Sequence, residues 1–507
     1  MLPRLRAIFD LTVADARESA GFHEFDGTVQ DLSPDGVRKG LAALGGAPVA
    51  DPHDEAVLRA TEEALRDAFA ERDEHRRNPL VHIANLDLAN YDRLYAPAQQ
   101  RAEARRRHLA AWPDAVDAAI ESLDRVPRPV ARGLIGAAEG LGSGLDPATD
   151  ADAVAALQRF VEHLRRAAVD GDADAALGPA ALARMLGVPE AMDVDLARLA
   201  RQADAERDRL HGLLTDACQG LYPDRPLTEA VAALEDDHPT AEGVLDEARQ
   251  LTEEVLEFTR DSGLFPDYDG ECRVGPTPAS RSWAMAMLSP AAPLEPDGPS
   301  WFHITAPDPS WLPEQRDDWL KVFNRTALPA IAVHEVAPGH FTHFRIVRMA
   351  DGDVRRTLHS YAFAEGWAHY VEELCLEEGF RRGDPRYAAG VALEALVRVT
   401  RLAVSIGLHS GTMTVDEAEQ RFVADAFLHG PAARGEAWRA TFDPAYGSYT
   451  WGKLELQRLR AEARGHWGAG YSHRRFHAAL LELRCPPLGL ADELVRRGQE
   501  KNHPTDR

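Results

Sequence analysis

From the first residue to about residue 260, Leu, Ala and Val recur at helical spacing with charged residues between them, and clusters of Pro, Gly and Asp interrupt the pattern. This predicts a succession of amphipathic helices. Ser33-Pro34-Asp35, just ahead of Val37 and Leu41, places a capping serine and a first-turn proline where a helix begins. Asp224-Arg-Pro-Leu-Thr228 repeats that logic ahead of the Ala-rich stretch 229–235. Between about 261 and 312 Pro and Gly cluster, and two short aromatic-bearing runs, Ser282–Leu288 and Ser300–Thr305, read as strands. A hairpin across the loop 289–299 would join them. Helical periodicity resumes near Trp311, and Thr414-Val-Asp-Glu417 forms a capping box opening a helix to about 427. With no fixed-period repeat and no low-complexity tract, the pattern predicts a mainly α fold with a small β-hairpin or sheet. Residues 1–260 read as a helical scaffold and 261–507 as the catalytic region, the two packed as one body.

Composition narrows the range of functions. The chain has 507 residues with 57 basic and 82 acidic side chains, a net charge of −25, which repels nucleic acid and anionic membrane surfaces alike. Aromatic residues make up 7 % against 45 % hydrophobic overall, a balance that favours helix over sheet. The four cysteines, Cys218, Cys272, Cys375 and Cys485, are widely separated and form no C-x-x-C pair, so they suggest neither a zinc cluster nor a disulfide framework. The first ten residues lack a signal-peptide apolar run, and no segment reaches the ~18 apolar residues of a membrane span. The expectation is a cytoplasmic protein without nucleic-acid or membrane partners.

The chemistry concentrates in Leu328-Pro-Ala-Ile-Ala-Val-His-Glu-Val-Ala-Pro-Gly-His340. Neutral imidazoles are first-choice zinc ligands, and a carboxylate beside the metal accepts a proton from water. In H-E-x-x-H the histidines lie four apart, about 40° apart on one helical face. Here His334 and His340 are six apart, which on an ideal helix turns them about 120° away from each other. Pro338 and Gly339 offer a bulge or kink that swings His340 back; His343, three residues further on, is the alternative ligand. A second helix, Tyr361–Leu374, carries Glu365 twenty-five residues after His340, enough for a helix, a turn and a return. Glu365 completes a His2Glu site with the fourth position left for water.

His334-Glu-Val-Ala-Pro-Gly-His340, Glu365-Gly-Trp-Ala-His-Tyr370, Gly407-Leu-His409 and Tyr449-Thr-Trp-Gly-Lys453, in that order, resemble the signatures of the domain-of-unknown-function 885 family of bacterial proteins. That family is related in motif style to Glu-zincin zinc peptidases. The resemblance implies a large helical metallopeptidase-like body, one zinc ion on His334, His340 and Glu365, and Glu335 as general base. It further implies Tyr449 and His409 as partners of an oxyanion, and Arg401 with His409 as substrate contacts, the arginine suited to a carboxylate. Ser405 stands where the family pattern leads one to expect an acid, and His343 where it usually has glutamine.

The expected activity is therefore zinc-dependent hydrolysis of amide bonds in peptides or small amides. A metalloamidase or deacylase acting on a non-peptide metabolite uses the same motif, and a helical binding protein with a structural or vestigial metal site is the non-catalytic alternative. A purely structural site, however, has no use for Glu335.

Overall fold

A computed structural model describes residues 1–278, 281, 285–296 and 298–494. The fold is mainly α, with one three-stranded sheet among the described residues. Ser33 caps the helix Pro34–Ala43 by accepting from the Gly36 amide, and Thr414 with Glu417 forms the reciprocal capping box of the helix Val415–Ala426. The helix Leu227–Glu235 opens differently: its N-cap is Pro226, and no side chain caps it.

The sheet departs from a simple hairpin. β1 (Cys272–Pro276) runs parallel to β3 (Ser300–Ile304), with Cys272 opposite Ser300, while β2 (Ala286–Ser289) is antiparallel to β3, with Ala286 opposite Ile304. β3 is thus central and β2 an edge. Residues 282–284 of the expected first strand lie outside the described residues, and β1 was not expected, because Arg, Gly and Pro give it no strand signature.

Three apolar cores hold the described residues together. One runs from Ile83 to Ala175, between the helices Ala98–Ser122, Arg128–Gly140 and Ala151–Asp170. A second joins Leu5–Phe69 to Val354 and Leu358. The largest spans Leu182 to Leu494 and takes in β2, β3 and the central helices Leu328–Glu335, Tyr361–Glu377, Pro385–His409 and Ser448–Trp467. It starts well before residue 260, because the helix Leu196–Leu221 packs along Pro385–His409. Arg93 ties the N-terminal part to the sheet region through Glu295 at 2.7 Å. Among the described residues no helix is long and apolar enough to cross a membrane.

Two helices approach each other closely at the centre. Tyr361–Glu377 crosses Ser448–Trp467 at Gly366 and Gly452, where an added Cβ on Gly452 would lie 1.9 Å from the Ala362 carbonyl oxygen. Only paired glycines permit this crossing. It sets Tyr449 beside the helix that carries Glu365.

Candidate metal centre

The helix bearing His334 ends at Glu335, the chain turns through 336–339, and a new helix starts at His340. Within the turn the Gly339 amide donates to Val333 O at 3.1 Å and the His343 amide to Gly339 O at 3.0 Å. Gly339 has an ordinary φ of −72°, so its role is not left-handed backbone. It is needed because a Cβ there would lie 1.9 Å from His334 O and 2.3 Å from Val333 O. Trp367 Nε1 donates to Pro338 O at 2.9 Å and fixes the turn from the neighbouring helix. The break brings the His334 and His340 rings to 4.7 Å, nearly perpendicular.

Glu365 Oε2 faces both rings, 3.5 Å from His334 Nε2 and 3.3 Å from His340 Nε2. One ligand atom from each residue lies within 4.8 Å of the others. Two ligands held ~2.05 Å from zinc at the tetrahedral angle are ~3.4 Å apart, so these spacings suit a zinc ion. Oε2 of Glu365 is buried and receives no hydrogen bond of acceptable geometry. A carboxylate oxygen in that state is costly unless a cation meets it. On donor type, spacing and this unsatisfied oxygen, the three residues fit the group.

Behind His334 lies a carboxylate that the sequence reading did not single out. Glu372 is fully buried, and its Oε1 accepts from His334 Nδ1 at 2.6 Å, which fixes a proton on Nδ1 and turns Nε2 toward Glu365. Its Oε2 meets Arg398 Nη1 at 3.2 Å and His369 Nδ1 at 3.4 Å. The available signal was spacing, since Glu372 follows Glu365 by seven residues, two helical turns, and so shares its face.

The surrounding carboxylates favour positive charge at this point. Burial and the Arg398 charge disfavour a charged His334, yet Glu365 and Glu372 outweigh them and raise it to about 9. Burial would raise the Glu365 carboxyl, but the facing His340 and His334 hold it well below the carboxylate range. Burial drives His343 down to about 3, and its Nε2 donates to Arg484 O at 2.9 Å, among the rings of Phe344, Phe363 and Trp367. His343 lies outside the ligand cluster.

Glu335 also stays outside that cluster. Its Oε2 accepts from the Leu288 amide of edge strand β2 at 2.8 Å, so the sheet edge holds the carboxylate of the residue that follows His334. The Tyr449 ring lies 6.2 Å from that of His334 and stacks on it. Burial, then the Glu365 charge, raises its phenol to about 12, so it remains a proton donor at neutral pH. Arg401 packs over Tyr449 at 5.6 Å, but its fork is closed on Glu436, with Nε at 2.7 Å and Nη2 at 2.6 Å. His409 sits eleven residues past Arg398 on one helix, about 16 Å along its axis. Its Nε2 donates to Ala440 O at 2.8 Å, and its Nδ1 faces the Leu177 amide at 3.4 Å. Lys453 is buried between Glu206 and Glu373 at 2.7 and 2.9 Å. The structure thus brings together His334, His340 and Glu365, with the Tyr449 ring beside His334, ties Glu335 to the sheet edge, engages Arg401 internally and leaves His409 apart.

The fold recurs in two solved bacterial proteins. One, from Shewanella oneidensis, is described as a "putative lipoprotein of unknown function"; it shares 19 % identity at a TM-score of 0.78, with 97 % of this chain and 98 % of that one covered. The other, a "putative lipoprotein" from Colwellia psychrerythraea, shares 16 % identity at a TM-score of 0.79, covering 98 % and 97 %. Among curated proteins none matches the sequence. The model of the bacterial protein family of unknown function DUF885 matches residues 16–495, nearly the whole chain, and the protein belongs to that family.

Proposed function

We propose that this chain is a zinc-dependent hydrolase that cleaves amide bonds in short peptides. The observation that carries the reading is the convergence of His334, His340 and Glu365, with Glu335 following His334 directly in the chain and outside the ligand set. His334, oriented by Glu372, His340 and Glu365 would hold the ion. Zinc at such a site supplies Lewis acidity, which polarises a carbonyl oxygen and acidifies water.

The chain's own groups supply the rest. Glu335, held by the Leu288 amide, takes the proton from the attacking water and returns it to the leaving amine. Tyr449, protonated at neutral pH, donates a hydrogen bond to the oxyanion that develops. The Tyr361 ring, 5.9 Å from Tyr449 and edge-on, limits that phenol's freedom.

Peptide cleavage by the zinc-loaded protein, followed by mass spectrometry, tests the reading. Glu335→Gln is expected to keep its metal while kcat/KM falls by about 10²–10⁴-fold, the usual worth of a general base. Cleavage by Glu335→Gln at the wild-type rate, or no cleavage by the zinc-loaded wild type, contradicts it.

A further inference from the structure

Three guanidiniums pack on the rings of Tyr446 and Tyr449 near the ligand cluster, and their partners set one apart. Arg398 turns Nη1 to Glu372 at 3.2 Å and Nη2 to Glu394 at 3.3 Å. Arg401 closes its fork on Glu436. Arg439, on the helix Gly430–Phe442, directs both Nε and Nη2 at a single oxygen, Oδ2 of Asp443, at 2.9 and 2.8 Å. Among the described residues its Nη1 donates to no protein group. Its side chain is 33 % exposed, against 9 % for Arg398 and 15 % for Arg401.

Aromatic rings link this guanidinium to the ligand cluster. Arg439 and Arg401 pack over the Tyr446 ring at 5.5 and 5.8 Å, Arg401 also packs over Tyr449 at 5.6 Å, and the Tyr449 ring lies 5.9 Å from that of Tyr361 and 6.2 Å from that of His334. Tyr361 precedes Glu365 by one helical turn, so the two share a face, and Tyr361 is 42 % exposed, so that face reaches solvent beside the cluster.

We propose that Arg439 anchors a free carboxylate of the substrate, so that the site selects short peptides by their C-terminus. The inference rests on the hydrolase reading above and deepens it. A guanidinium with an open N–H edge matches a carboxylate in shape and charge. Asp443 and the Tyr446 ring, 5.5 Å below the Arg439 guanidinium, hold it in place before a ligand arrives, which reduces the ordering cost of binding. With about two thirds of the Arg439 side chain covered by protein, an ion pair there is screened less than on the open surface. The arginine suggested by the sequence, Arg401, is already closed on Glu436 and acts instead as support beside Tyr449.

The test is calorimetric binding of matched tripeptides, one a free acid and the other its C-terminal amide, to zinc-loaded Glu335→Gln protein. The acid is expected to bind about 10- to 100-fold more tightly, the worth of a charge-assisted contact. Arg439→Gln in the same background should bring the acid to the level of the amide while leaving the amide unchanged, and Arg439→Lys should lie between. Equal binding of acid and amide to the Glu335→Gln protein overturns the inference, as does equal weakening of both ligands in the two Arg439 variants. A preference for the acid in binding, together with no cleavage of any peptide by the wild type, would sink the hydrolase reading and leave the anchor standing.

Discussion

The bundle of Ala98–Ser122, Arg128–Gly140 and Ala151–Asp170 and the four central helices are both helical, but they bury different chemistry. In the bundle one stripe of each helix is apolar; Ala151–Asp170 buries Ala153, Ala156, Leu157, Phe160, Val161, Leu164 and Ala168 and leaves its charges in water. In the centre Pro385–His409 buries nineteen of its twenty-five residues, Arg398, Thr400, Ser405 and His409 among them. The bundle buries apolar surface; the centre also encloses ionised groups, each of which needs a partner. The comparison teaches that stability in the first region resides in packing, and in the second partly in closed networks such as His334–Glu372–Arg398.

The largest effect expected from breaking this contrast is at Gly339. Gly339→Ala places a Cβ 1.9 Å from His334 O and should cost about 4 kcal/mol or more, or displace His340 so that metal is lost. Denaturant melts with metal analysis check it. Leu164→Ala, at a fully buried bundle position, should cost about 2–5 kcal/mol while leaving metal content and activity per folded molecule unchanged. Loss of metal in that variant would dissolve the distinction between the regions. Glu372→Gln keeps the shape of the hub but removes the charge that orients His334 and pairs Arg398; zinc affinity in a competition titration should fall about 10- to 100-fold.

Acidification should also separate the regions. Burial lowers His82 to about 4 and His108 to about 3 in the N-terminal half, and His343, His359, His369 and His477 to about 3, 4, 4 and 3 in the centre. Each is neutral when folded and takes up a proton more readily when unfolded. The stability this confers is fully present above about pH 6.5 and is lost as the pH falls from there toward 3–4. With more such residues in the centre, hydrogen exchange at pH 5 against pH 7 should show peptides from 340–480 losing protection before those from 100–165. The smallest effect is the converse of Gly339→Ala: Gly136, in a bundle helix with nothing within 4 Å of an added Cβ, should gain about 0.5–1 kcal/mol on replacement by Ala.

The same contrast explains what could be read from the sequence. Helix type and capping at Ser33 and Thr414 were legible because local periodicity and cap chemistry act within a few residues. β1 was not, because its partner β3 lies twenty-eight positions on and supplies the hydrogen bonds that Cys272-Arg-Val-Gly-Pro276 does not advertise. The helix break was legible in Pro338-Gly339, whereas the close approach that requires glycine there, a Cβ 1.9 Å from His334 O, was not. In helices buried all round, periodicity no longer says which face looks where. Glu372 was therefore overlooked, and the partners of Arg401 and His409 came from the helix Gly430–Phe442, which nothing near either residue announces.

The central claim is that His334, His340 and Glu365 form one zinc site. Its most direct measurement is zinc stoichiometry by mass spectrometry of protein equilibrated with zinc and then desalted, in wild type and in Glu365→Ala. The account predicts one ion per wild-type chain and less than about a tenth of that in the variant, since losing one of three protein ligands removes the closed geometry. A wild type that retains no zinc, or a Glu365→Ala variant that retains one equivalent, would contradict it.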